Sequence, residues 1–112
     1  MTRGELWWVD FGVPVGSAAG FRRPAVILQA DEYNATQLNT IVVVPFSSNL
    51  MLADYSPNMY VESSDSGLNK DSVAIIPLVT ALDRICFKDF ISKLPDSVME
   101  EIHNAVLDII HK

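Results

Sequence analysis

Thr40 to Phe46 reads Thr-Ile-Val-Val-Val-Pro-Phe, seven residues in which no polar side chain follows Thr40. The run has neither the alternation of a half-buried strand nor the length of a buried helix, so it predicts a strand covered on both faces. Other parts of the chain must pack over each side of it. Leu6 to Phe11 is a first strand by its aromatic and β-branched content, and Pro24 to Gln29 a second, its opening proline donating no ladder bond. Between them, Gly12 to Arg22 carries Gly12, Pro14, Gly16, Ser17 and Gly20 and reads as a long loop. Met59 to Glu62, Ser72 to Ile76 (stopped by Pro77) and Phe90 to Leu94 add short strands. Asp31 to Gln37 holds a turn of helix capped by Asp31, and Ser63 to Gly67 is a loop. At the end, Ser97 with Glu100 three residues on predicts a capping box, with Asp96 adding negative charge at the helix start. Val98, Ile102, Ala105, Val106 and Ile109 then form one apolar stripe.

Short strands, Gly/Pro loops and one amphipathic helix predict a mainly β protein with α, a strongly bent sheet or partly open barrel. No βαβ alternation supports a Rossmann-type fold. At 112 residues the chain is one domain, residues 1–112, large enough for its own core. No apolar run approaches the ~20 residues of a membrane span, and the single Cys86, read as a small core residue, fits a reducing cytoplasm. The net charge of −6 opposes general nucleic-acid binding, so any contact with a polyanion needs a local positive patch. Asp89, Asp96, Glu100, Glu101 and Asp108 crowd the last quarter, which leaves the N-terminal half for an anion site.

There the run Gly20-Phe21-Arg22-Arg23-Pro24 sets a guanidinium at a strand mouth, and the central strand ends in Phe46-Ser47-Ser48-Asn49. Arginine offers a charged, rigid fork of donors suited to phosphate. No metal spacing or Walker loop is present; His103 and His111 are eight apart, and no metal or cofactor is expected. A site without metal or histidine suits RNA, whose 2′-hydroxyl is its own nucleophile; Arg23 and Ser47 would stabilise the phosphorane. The alternative is an arginine in a surface salt bridge and a serine in a turn. Trp7 and Trp8 point to opposite faces of their strand, with burial favoured over base stacking, and Lys70-Asp71 reads as a structural charge pair.

Arg3 to Phe11, Val15-Gly16-Ser17, Arg22 to Leu28, Leu38 to Pro45, Ser47 to Leu50 and Gly67 to Val73 together resemble MazF/PemK toxin endoribonucleases, and the likeness spans essentially the whole chain. The resemblance implies a small SH3-like barrel of the MazF/CcdB type with a C-terminal amphipathic helix, assembled as a homodimer. It implies metal-independent cleavage of single-stranded RNA at short motifs, to 2′,3′-cyclic phosphate and 5′-hydroxyl ends. The partner would be a MazE-like antitoxin forming a DNA-binding complex with the toxin. The family's catalytic arginine falls on Arg23 and its catalytic threonine on Ser47. The family's groove-lining aromatic falls on Phe11, and its groove-gating loop on Gly16 and Ser17. From the residues themselves, Arg22 reads as an auxiliary phosphate contact or a solvent-facing charge, and Ser48 and Asn49 as RNA contacts or, ahead of that, as residues that close the turn.

The chain departs from relatives at Ser47 (often Thr), Ala18-Ala19 (often an acidic-Gln pair), Leu78 (often Gln) and Pro77. Two rivals remain: a gyrase-poisoning binding protein of the same fold, and a catalytically weakened homologue acting as an interaction module. The ending Ile109-Ile110-His111-Lys112 lacks the aromatic-Gly-Ile tail of gyrase poisons.

Overall fold

The computed structural model describes residues 1–111. The predicted two-faced strand, β3 (Thr40–Ser47), is the spine of the molecule. β1 (Glu5–Asp10) and β2 (Arg22–Ile27) precede it, with the helical turn α1 (Asp31–Asn34) between β2 and β3. β4 (Met59–Val61), the helical turn α2 (Ser63–Ser66), β5 (Ser72–Ala74), β6 (Thr80–Asp83), β7 (Phe87–Lys93) and the helix α3 (Asp96–Ile110) follow. The strands run β4-β5-β3-β2-β1-β7, with β6 also on β3, and every pairing is antiparallel. β4 and β7 stand at opposite ends of this path, so hydrogen bonding does not close the sheet into a ring. Register shifts between β1 and β7, at Leu6/Trp7 and Trp8/Val9, bend it.

Alternation along β2 and β3 feeds two cores. Val26, Val44 and Phe46 join Leu6, Val61, Ala74 and Ile76 beneath Met99, Ile102 and Val106 of α3. On the other face Ala25, Ile27, Ile41 and Val43 join Val9, under half-buried Trp7, Phe11, Leu82, Cys86 and Phe87. Trp7 meets Phe87 and Phe90 edge to face, with ring centroids 6.1 and 5.8 Å away. Cys86 is therefore a half-buried rim residue of this core rather than fully enclosed.

One junction positions everything that follows. The β2–β3 ladder pairs Ile27 with Val43, Val26 with Val44 and Ala25 with Pro45, then stops. Pro24 and Pro45 flank the stop, and neither has an N–H to extend the ladder. Beyond it Arg22 to Pro24 stay paired with β1, while Phe46 and Ser47 stay paired with β5 on the opposite edge of β3. The two strands part as a fork.

Several local expectations change. Pro95, at φ −57° and ψ 147°, occupies the N-cap position of α3, so the helix starts at Asp96 and no side chain caps it. The Ser97/Glu100 capping box is therefore not formed: Ser97 is already inside the helix, and Val98 and Met99 donate to the Pro95 carbonyl at 3.0 Å. Asp96 does lie in the first turn, as expected. Met99 enters the buried stripe, whereas Ile109 is exposed. Ala30, not Asp31, precedes α1; Asp31 instead accepts from the Arg3 amide at 2.7 Å and from Asn34 Nδ2 at 3.0 Å. Residues 63–66 coil into α2, ended by Gly67 at φ 76°, a left-handed position that glycine fills without steric cost. β5 stops at Ala74, β7 begins as early as Phe87, and β6 is an additional strand. No helix among the described residues is long and apolar enough to cross a membrane.

Candidate active site

A cleft of about 580 Å³ opens in the fork between β2 and β3. Trp8 of β1, Arg22 to Pro24 of β2, Phe46 to Ser48 at the end of β3, the segment 67–72 and Ile91 of β7 line it. Arg23 and Ser47 are thus brought to one cavity. Continued past its last pair, Ala25 with Pro45, the register would set Arg23 opposite Ser47 two residues further on, where the ladder has already ended.

Arg23 is held at one nitrogen only. Its Nε donates to the Gly20 carbonyl at 3.2 Å, and its two terminal nitrogens have no hydrogen bond or ion pair among the described residues. Gly20 is required there: a Cβ would lie 2.4 Å from the Pro14 ring. The fork of donors is half-buried, oriented and unspent. Ser47 Oγ accepts from the Asn49 amide at 3.1 Å, which leaves its own proton to donate.

Arg22 lines the same cleft but is engaged. It pairs with Asp89 of β7 and lies over the Trp8 ring, 5.7 Å from its centroid. Both partners of the pair are mostly exposed, so it fixes the side chain's position more than it stabilises the fold. Trp8 is therefore half-buried and lines the cleft, whereas Trp7 packs in the second core. Ser48 lines the cleft too; Asn49 does not, and its Oδ1 accepts from the Met51 amide to cap the 3₁₀ turn Leu50–Asp54. Phe11 lies elsewhere, in a hollow of about 330 Å³ with Asp10, Gly12, Leu82, Ile85, Cys86 and Lys88. Gly16 and Ser17 are exposed in the β1–β2 loop and line neither space.

The segment before β5 supplies side chains that the sequence reading did not place here: Asn69, Lys70, Asp71 and Ser72. The expected Lys70–Asp71 pair is absent; Arg22–Asp89 is the one ion pair among the described residues. Asp71 instead accepts from the Tyr60 hydroxyl and, at 2.8 Å, from the Ser63 amide. The Tyr60 hydrogen bond, then that amide, hold the Asp71 carboxyl below its ordinary range, and the same bond pushes the Tyr60 phenol up. Among the described residues no three His, Cys, Asp or Glu side chains converge on a metal position.

An oriented guanidinium and a hydroxyl in one cleft can bind a phosphate and stabilise charge developing on it. Residues 2–110 match the family model described as the PemK-like, MazF-like toxin of type II toxin-antitoxin systems. The chain belongs to this toxin family. It is 30% identical over 110 residues to "Endoribonuclease MazF6" of Mycobacterium tuberculosis, covering 98% of this chain and 96% of that protein. Its fold is similar to MazF from Deinococcus radiodurans, with TM-score 0.83 at 21% identity over 100% of this chain and 97% of that one. A mycobacterial endoribonuclease solved with its cognate antitoxin matches with TM-score 0.73 at 16% identity, over 98% and 92% of the two chains. The open, bent sheet with its C-terminal helix is thus a MazF-type fold. For this MazF-like toxin, the residues missed by sequence reading had one available signal: Gly67 to Val73 is part of the family resemblance, although nothing in it announces proximity to Arg23.

Proposed function

We propose that this chain is a metal-independent endoribonuclease, the toxin of a type II pair, cutting single-stranded RNA in the cytoplasm as a homodimer. A MazE-like antitoxin would restrain it. Family membership and the relatives' names support the activity class. The single structural observation that carries the chemistry is the unpaired end of the Arg23 guanidinium sharing a cleft with the Ser47 hydroxyl.

The substrate's 2′-oxygen attacks the adjacent phosphorus in line, and the P–O5′ bond breaks. The 2′ proton passes to water, since a guanidinium already fully protonated cannot accept it. The 5′-oxygen takes a proton from water as it leaves, giving a 2′,3′-cyclic phosphate and a 5′-hydroxyl. Arg23 supplies charge and parallel hydrogen bonds to the non-bridging oxygens, which carry more charge in the phosphorane than in the ground state; Ser47 donates one neutral bond. DNA has no 2′-hydroxyl and remains intact.

The test is purified protein on a long single-stranded RNA in EDTA, with the new 5′-hydroxyl ends mapped. Cleavage at a short recurring motif is expected. No cleavage, or equal cutting of the matching DNA, removes the proposal; trapped gyrase–DNA breaks would put a gyrase poison in its place.

A further inference from the structure

β2 and β5 flank β3 on its two sides, so the cleft receives side chains from both: Arg22 and Arg23 from one, the 67–72 segment from the other. Its cations are Arg22, Arg23 and Lys70, and its acid is Asp71. Two of these four charges are already committed. Asp89 neutralises Arg22, and Asp71 is held by Tyr60 and Ser63. Lys70 makes no ion pair and no hydrogen bond among the described residues, even though Asp71 is its chain neighbour. An acidic chain of net charge −6 therefore keeps two uncommitted cations, Arg23 and Lys70, on opposite sides of one cleft. Ser72, on Lys70's side, is 3% exposed and its hydroxyl is a buried side-chain oxygen without a partner.

We propose that Lys70 binds the backbone phosphate next to the one that is cut, so that the cleft follows a strand over two successive phosphates. The proposal rests on the nuclease reading for which phosphate is cut. Its binding component does not depend on cleavage. A lysine ammonium is a compact, hydrated point charge on a flexible stem, suited to holding a phosphate without discriminating bases. Arg23 acts at the reacting phosphate, whereas Lys70 acts equally in the ground state and the transition state. It belongs to binding and not to the chemical step.

The experiment uses the full chain, wild type, Lys70→Gln and Lys70→Arg. The binding probe is a pool of random-sequence single-stranded RNA, 2′-O-methylated throughout so that it cannot react. Affinity is followed from about 50 to 200 mM salt; each phosphate neutralised on a single strand contributes about 0.7 to the slope of log K against log salt. Lys70→Gln is expected to flatten that slope by about 0.7, and Lys70→Arg to keep it. On unmodified long RNA, Lys70→Gln should raise KM and leave kcat unchanged, a split that a merely structural lysine would not give. An unchanged slope in Lys70→Gln overturns the proposal, as does a loss confined to kcat. Wild-type protein that binds the pool but cuts no RNA sinks the nuclease reading and leaves the binding result legible. Wild-type cleavage together with an unchanged Lys70→Gln slope sinks only the role of Lys70. Failure of wild type both to bind and to cut ends both.

Discussion

Replacing Arg23 with alanine separates what the side chain does for the fold from what it does for the reaction. In the folded protein its one hydrogen bond, from Nε to the Gly20 carbonyl at 3.2 Å, is long and half-buried. Losing such a bond costs about 0.5–1.5 kcal/mol of stability. The two terminal nitrogens are free of protein partners, and under the proposed mechanism they meet the phosphorane oxygens in the transition state. Deleting one preorganised donor from such a site costs about 2.7–4 kcal/mol, so about 3 kcal/mol is the least expected for a charged pair of them. That is a rate loss of about 10²-fold or more. Single-turnover cleavage of a long RNA in EDTA, read as 5′-hydroxyl ends against time, measures it. A thermal melt on the same samples measures the fold. Arg23→Lys keeps the charge and loses the fork, and should fall between the two. Arg23→Ala cutting RNA at a rate near wild type, with the melt unchanged, would refute the assignment.

Ser47→Ala should slow single-turnover cleavage by about 10²-fold, whereas Ser47→Thr keeps the hydroxyl, gains a rotamer-fixing methyl and should match or exceed wild type; equal rates for Ser47→Ala and wild type would exclude the hydroxyl. The Tyr60–Asp71 bond has a defined pH window. Asp71's lowered value means its contribution is complete above the unfolded carboxylate range, about 3.9, and disappears as pH falls through the folded value. Tyr60's raised value means its contribution is complete below about 10 and disappears as pH rises through the folded value. The difference in melting temperature between wild type and Tyr60→Phe should therefore be level from about pH 5 to 9 and shrink at both extremes; a difference that varies within that interval would contradict it. Ser72→Ala removes a buried hydroxyl that lacks a partner, and should raise stability by about 1 kcal/mol in urea unfolding; a destabilised variant would show that Ser72 is satisfied in solution.

The two-faced strand was legible because Ile41 to Phe46 contains nothing that could face water. Arg23 and Ser47 were legible because Pro24 and Pro45 mark their strands, and those prolines also end the ladder between them. β6 was not: Thr80-Ala81-Leu82-Asp83 has weak strand propensity and is largely exposed, and only its pairing with β3 orders it. The α3 boundary moved because Ser97 and Glu100 match a local motif, while Pro95 with its extended backbone already occupies the cap position. Phe11 lies one residue past the end of β1 rather than ending it, and faces the other hollow, since the parity of the strand sends it with Val9 rather than Trp8. Lys70 and Ser72 stayed hidden because the contact is long-range. More than 20 residues separate Ser47 from Ser72, and only the pairing of Ser47 with Val73 brings them to one place.

The parting of β2 from β3 also governs how the toxin should fail. One wall of the cleft is the end of β3, a strand anchored in both apolar cores, through Val43 on one side and Val44 and Phe46 on the other. Moving that wall would mean tearing ladder bonds that the whole sheet shares. Heat or urea should abolish catalysis and collapse the scaffold in one cooperative step, with no folded but gaping intermediate.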